Sequence, residues 1–158
     1  MKIEKEELLS IIPHKNRMML LSRITDFNEE NKSIEAEYEI KKDCLFYDSA
    51  LPGVPACIGF EFIAQSISAY IGIRDLGKKV HKMGYILSIS QMRIGLPYFK
   101  TDSIITIKSR ESGGMDPVYV FEGEIYLYGE KVVEGKITVL DVYDEQTQLI
   151  KKESETID

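Results

Sequence analysis

LPGVPACIGFEFIAQSISAYIGIRDLG, residues 51–77, is the stretch that decides how this chain folds. Pro52, Gly53 and Pro55 punctuate its start and Gly77 its end, with helix-compatible residues running unbroken between them. Pro55 suits a first helical turn, where a missing N–H is no loss, so the pattern predicts one helix from about Pro55 to Leu76. At about 100° per residue, Glu61, Gln65, Ser68 and Gly72 share one narrow stripe, and Ile58, Phe62, Ile63, Ile67, Tyr70, Ile71 and Ile73 fill the rest. A helix this apolar must be enclosed by its own sheet. The run reaches the length of a membrane span, but its Pro, Gly, Gln and Ser residues interrupt it, which favours a core helix and no membrane partner.

The flanks supply the sheet. Glu4 to Ile12 reads as a short amphipathic helix stopped by Pro13, and Met18 to Phe27 as an apolar strand. Ser33 to Ile40 alternates cleanly, with Ile34, Ala36, Tyr38 and Ile40 on one face and Glu35, Glu37 and Glu39 on the other, the mark of a half-buried antiparallel strand. After the helix, four strands are expected at Lys82–Ser90, Ile104–Ser112, Tyr119–Leu127 and Lys131–Leu140. Turns are expected at Gly113–Gly114 and at Tyr128–Glu130. The class is α+β: an antiparallel sheet curled around one long central helix. One domain covers residues 1–142, and residues 143–158 form a polar tail with too few apolar residues to bury itself.

Composition removes several function classes. The 158 residues suit a single domain; apolar residues make up 44% and charged residues 29%, as in soluble globular chains. A net charge of −6 provides no cationic field for a phosphate backbone, so nucleic acid is not an expected partner. Cys44 and Cys57 have no CxxC spacing and no histidine pair beside them, so neither a disulfide framework nor a metal site is expected. The glutamates in MKIEKEELLSIIPHK break any apolar leader, and a cytoplasmic location follows as the expectation. No phosphate-cradling, dinucleotide or zinc motif is present, and no cofactor is expected.

From Ser49 to Ile73 the one charged side chain is Glu61. Burying a carboxylate without partners costs several kcal/mol, about 2–7 for a neutral polar group and more for a charge, so Glu61 is the first candidate for chemistry. A register-setting contact with a second subunit is the alternative. The first amides of the helix, at Ala56 and Cys57, lack intrahelical partners and are candidates to hold a thioester carbonyl near Glu61. Gln65 is placed either in the site wall or as an amide bridging two protomers. The Cys57 thiol reads as a small packing residue, since no histidine or lysine stands near it in sequence to activate it. Tyr98 and Phe99 are candidates for the wall of a ligand tunnel or for sheet packing. Lys78, Lys79, His81 and Lys82 form either a solvated turn or a patch for an acidic partner.

IIPHKNRMMLLSRI at 11–24, CLFYDSALPGVPACIGFEFIAQS at 44–66 and MRIGLPYFKTDSI at 92–104 resemble, in that order, three segments of the hotdog-fold β-hydroxyacyl-ACP dehydratases of fatty acid synthesis. Those are the Leu-Pro-His-Arg segment, the active-site loop running into a Glu-Ala-Met-Ala-Gln helix start, and the Arg-Arg-Pro-Val strand. The GlyValProAla loop and GlyPheGlu helix start are most similar to the branch associated with aryl polyene synthesis. The resemblance implies a dimer with a continuous sheet and two adjacent helices, a site at the subunit interface and an acyl chain on the phosphopantetheine arm of a carrier protein, or on CoA. It assigns Glu61 as the helix carboxylate and Ala56 and Cys57 as the carbonyl-binding region.

The chain departs from that pattern at one position. The dehydratases carry a histidine in the loop ahead of the helix, and here Tyr47, Asp48 and Ser49 stand there instead. His14 lies where the family's histidine is not the catalytic one, and His81 follows the far end of the helix, about 30 Å of rise from Glu61; both are read as structural or exposed. Removing an α-proton needs a positioned base, for which Asp48, Tyr47 and Glu61 are the candidates. Three functions follow: a β-hydroxyacyl-ACP dehydratase giving the trans-2-enoyl thioester, a hotdog thioesterase, or a non-catalytic subunit paired as a heterodimer with an active dehydratase.

Overall fold

The computed structural model describes residues 2–14 and 16–145. Its centre is α2, Gly59–Arg74, preceded by a 3-10 turn at Ala56–Ile58. Ten of its sixteen residues are buried, more than a helix with a single apolar stripe can hide. The stretch Ala56–Arg74 is long and apolar enough to cross a membrane by composition, and here it is the core helix of a domain.

Seven antiparallel strands surround it. They are β1 (Ile3–Glu4), β2 (Arg23–Asn28), β3 (Ser33–Glu39), β5 (Lys79–Ile94), β7 (Ile104–Met115), β8 (Val118–Leu127) and β9 (Glu130–Glu145), in the spatial order β1-β2-β3-β7-β8-β9-β5. Helix α2 touches β3, β7, β8, β9 and β5. This is the hotdog arrangement. A separate two-stranded ribbon, β4 (Gly53–Pro55) with β6 (Tyr98–Lys100), covers the start of the helix.

Aromatic rings lock the helix to the sheet. Phe62 meets Tyr38 and Phe99, at centroid distances of 5.2 and 5.9 Å, and one face further on Tyr70 meets Phe27 and Phe121 at 5.5 and 5.6 Å. Between them the buried hydroxyls of Ser66 and Ser109 pair at 2.6 Å, so each satisfies the other in a place water does not reach. The alternating face of β3 is buried as its pattern predicts, with Ile34, Ala36, Tyr38 and Ile40 inward.

Several element boundaries differ from the sequence pattern. The first helix, α1, is only Lys5–Leu8, because Ile3 and Glu4 pair with β2 and residues beyond Leu8 turn away to lie on α2. Met18 ends a 3-10 turn (Asn16–Met18), and β2 starts at Arg23, since the backbone at residues 18 and 20 bonds a helix side chain rather than a strand. Gly113 and Gly114 lie within β7, paired with Val120 and Tyr119, and the turn falls at Asp116–Pro117. The turn at Tyr128 and Gly129 is where it was expected, with φ of 51° and 80°. Strand β9 reaches Glu145, past the expected boundary at 142; residues 146–158, most of the polar tail, lie outside the described residues.

One edge of the sheet is β1 and the other is the 16-residue β5. Tyr85, Ile86, Leu87, Ile89 and Ile94 on β5 are all more than a third exposed. A long apolar edge of this kind invites a further strand.

Close helix-to-sheet approach depends on Gly123, where an added Cβ would overlap Ile63 Cγ2. Gly123→Ala should cost about 1–3 kcal/mol in urea unfolding. The cost should fall clearly in an Ile63→Ala background; an equal cost in both backgrounds would mean that this contact does not set the spacing.

Candidate active site

Glu61 is the third residue of α2, on the helix face against which residues 9–14 lie. Gln65, one turn on, is fully buried and makes three hydrogen bonds. Its Oε1 accepts the Leu20 N–H at 2.7 Å; its Nε2 donates to the Met18 carbonyl at 2.7 Å and to Glu61 Oε1 at 3.1 Å. One amide therefore pins the N-terminal segment to the helix and aims the carboxylate. The polar stripe seen in the sequence is covered partly by the chain itself, and Gln65 bridges segments of one protomer.

Further along the stripe, a Cβ at Gly72 would stand 2.8 Å from Ile11 Cγ2 and from its carbonyl oxygen. Glycine there lets the segment lie directly on the helix. The segment then carries His14 alongside Glu61, with Nε2 3.7 Å from Glu61 Oε1. That is an ion-pair distance when the imidazole is protonated and too long for a hydrogen bond. Burial pulls the imidazole below its ordinary range, partly offset by the Glu61 charge. Its Nδ1 is buried and has no hydrogen-bond partner among the described residues.

His14 and Glu61 sit in the wall of a cavity of about 530 Å³. Apolar groups from three elements form most of it: Ile11 and Ile12, Ile67 and Ile71 of α2, and Tyr85 and Ile86 of β5, with Ser68 and Asp141 adding polar atoms. Its size is within the range of small-molecule sites, about 300–1,000 Å³. An acid beside an imidazole in such a place can give and take protons from a bound chain.

The other candidates lie elsewhere in the protomer. Asp48 is exposed; its carboxylate accepts the Ala50 N–H at 2.9 Å and its backbone bridges to Gly53, so it shapes a turn. Tyr47 packs against the rim of the core. Neither lines the cavity with Glu61. The Ala56 N–H already donates to the Pro97 carbonyl at 3.0 Å, which removes it as a carbonyl-binding amide. Cys57 is exposed and Tyr98 pairs with Pro55 in the ribbon; both are away from the cavity. The Lys79 ammonium is tied to Asp116 at 3.7 Å and sits over the Tyr143 ring, while the side chains of His81 and Lys82 lie outside the described residues.

His14 is the residue that sequence reasoning set aside. The signal for it was indirect: Gly72 and Glu61 share a stripe, and a glycine there marks where a backbone comes close. Nothing in residues 9–20 alone says that they are the backbone in question.

Replacing Gln65 by Leu keeps the volume and strands the Leu20 N–H and the Met18 carbonyl, so Gln65→Leu should cost about 2–4 kcal/mol in urea unfolding. A second outcome concerns pH. The folded pKa of His14 lies below the unfolded value of 6.5, so the imidazole is neutral in both states above that pH and costs nothing there. As pH falls through 6.5 the unfolded chain binds the proton first, and stability drops until the folded pKa is passed. His14→Gln should therefore gain stability relative to the native chain on acidification below 6.5; a difference independent of pH would contradict the shift.

The family model described as ApeP-like, ApeP dehydratase, matches residues 6–151. The chain is 26% identical over 143 residues to the 3-hydroxyacyl-[acyl-carrier-protein] dehydratase FabZ of Bartonella quintana, covering 87% of this chain and 89% of that one. To the FabZ of Chlamydia trachomatis it is 23% identical over 157 residues, covering 94% of each. Among solved structures it resembles the dehydratase heterocomplex ApeI:P from Xenorhabdus doucetiae, with TM-score 0.74, 21% identity, and coverage of 89% and 93%. A hypothetical thioesterase from Streptococcus pneumoniae, solved with coenzyme A, shares the fold at TM-score 0.56 and 18% identity, covering 75% of this chain and 84% of that one. With nearly its whole length matched by that family model, the chain belongs to the ApeP-like dehydratase family.

Proposed function

We propose that this chain takes a β-hydroxyacyl thioester on an acyl carrier protein and removes water, leaving the trans-2-enoyl thioester, as one half of a two-subunit hotdog assembly. The observation that carries the reading is a carboxylate aimed by a buried amide into an apolar cavity. In the elimination a proton leaves Cα, its electron pair becomes the double bond, and the β-hydroxyl departs with a proton as water. Glu61 is placed to handle one of those two proton transfers. The ApeP-like family and the FabZ relatives support dehydration over hydrolysis, since the thioesterase likeness is one of fold alone.

The assembly is argued from the sheet. The β5 strand offers a long apolar edge and also walls the cavity through Gly84, Tyr85 and Ile86, so a subunit pairing along it would close the rim of the site. A second hotdog chain fits that edge as a continuation of the sheet, and the heterocomplex found for the similar Xenorhabdus structure makes an unlike partner a specific alternative to a second copy. The absence of a histidine from residues 47–49 favours a further reading, in which this chain binds and orients the acyl group while its partner does the chemistry.

The test is turnover of a β-hydroxyacyl carrier-protein thioester by the full chain, alone and mixed with an unlike hotdog dehydratase, read as enoyl product. Glu61→Gln should lower kcat by about 10²–10⁴. Unchanged turnover in that variant would refute the reading, and free thiol released without enoyl product would replace it with hydrolysis. Light scattering should give the mass of two subunits, and paired charges introduced at Leu87 and Ile89 should return it to one.

A further inference from the structure

We propose that His14 is the proton acceptor of this site, working with Glu61 of the same chain as a pair that carries one proton between them. The proposal rests on the dehydratase reading above and names the group that the loop ahead of α2 lacks.

Three observations converge on it. His14 and Glu61 line the same cavity with Nε2 and Oε1 3.7 Å apart, so both reach one bound substrate. The ring is also not held as a structural histidine would be. Buried ring nitrogens ordinarily have partners, and Nδ1 has none among the described residues, so no hydrogen bond at Nδ1 locks this imidazole in place. Finally, the candidate bases of the loop are elsewhere: the Asp48 carboxylate closes its own turn and Tyr47 does not reach the cavity. A desolvated imidazole is neutral at the pH of most cells, the form a base must have. The other titratable groups lining this cavity are Tyr85 on β5 and Asp141 on β9. On the segment of His14 itself, Arg17 is exposed and donates to the Asp43 carbonyl, and Lys15 lies outside the described residues.

The step balances within the pair. Neutral His14 takes the α-proton at Nε2, leaving its electron pair on the thioester as an enolate. The imidazolium passes that proton to the neighbouring Glu61 carboxylate, which delivers it to the β-hydroxyl. As the enolate pair forms the double bond, the hydroxyl leaves as water with the C–O electron pair. His14 ends as the neutral imidazole and Glu61 as the carboxylate, as they began, and no other donor or acceptor is consumed. Protonation of His14 removes the base, so kcat should fall on acidification below 6.5.

The test compares the full chain with its His14→Gln, Glu61→Gln and doubly substituted forms on a β-hydroxyacyl carrier-protein thioester, with and without an unlike hotdog dehydratase. Each single change should lower kcat by about 10²–10⁴, and the double change should be no worse than either, because the two groups act in one step. A second readout needs no turnover. The chain has only two histidines, so the ring protons of His14 can be assigned by NMR from the His14→Gln spectrum. Its midpoint should lie below 6.5 and move lower still in Glu61→Gln, since the Glu61 charge holds it up. Turnover of His14→Gln within about threefold of native, or a midpoint unmoved by Glu61→Gln, would overturn the pair. If Glu61→Gln alone is inactive, the dehydratase reading stands with a base supplied by a partner. If neither substitution matters, or the native chain is inactive in both settings, both readings fall.

Discussion

The amide of Gln65 is sealed from water, and each of its atoms has a protein partner because an unpaired buried amide would cost about 1–3 kcal/mol. Those partners are the backbone at residues 18 and 20, at and just beyond the end of a single 3-10 turn. Those two bonds set where the backbone at 18 and 20 lies on the helix. The remaining N–H of the same amide reaches Glu61, so the orientation of the candidate acid and the course of the N-terminal segment are one arrangement. His14 depends on it as well, since the segment anchored at Leu20 by Gln65 and lying against Gly72 at Ile11 brings the imidazole between those two points.

A helix that is apolar on nearly every side sets the larger frame. It has to be wrapped, and the antiparallel sheet wraps it by curling until five strands touch it. Curling leaves a seam between the last strands and the helix. In this protomer the seam is the cavity beneath Gly84, Tyr85 and Ile86, and the N-terminal segment roofs only part of it. The same geometry that buries the core therefore leaves an apolar cavity with Glu61 in its wall, and sets it beside an edge strand on which Tyr85, Ile86, Leu87, Ile89 and Ile94 are exposed.

What could be read from the chain divides along the range of the interactions. Burial of Ile34, Ala36, Tyr38 and Ile40 follows from a period of two, and the long helix from its flanking Pro and Gly and its composition; both are local patterns. Strand lengths were underestimated because β5 and β9 are extended by each other: Ile94 is a strand residue through its pairing with Val133, which no local pattern contains. Gly113 and Gly114 look like a turn for a good local reason, and the ladder with Tyr119 and Val120 overrides it. In the site, Glu61 was legible because a lone charge in apolar surroundings is conspicuous in any register. Ala56 was misjudged because its amide, free by the rules of helix ends, is met by Pro97 across 41 positions of chain. That His14 lies beside Glu61 was not legible for the same reason: the two are distant in sequence.

The two ends of α2 hold their charges in different ways. At the C-terminal end, Arg74 is gripped by both oxygens of Asp75 at 2.9 Å, faces Glu111 at 3.8 Å and lies over the Tyr119 ring at 4.9 Å. Its planar fork is matched on every side, and such a group is fixed in one protonation state and one position. At the N-terminal end, Glu61 receives a single hydrogen bond on one oxygen, and its second oxygen has no partner among the described residues. Its nearest charged neighbour is an imidazole able to change state near neutral pH. A folded chain gains stability by completing such a shell, as it does around Arg74. Around Glu61 that shell is left incomplete, beside an apolar cavity.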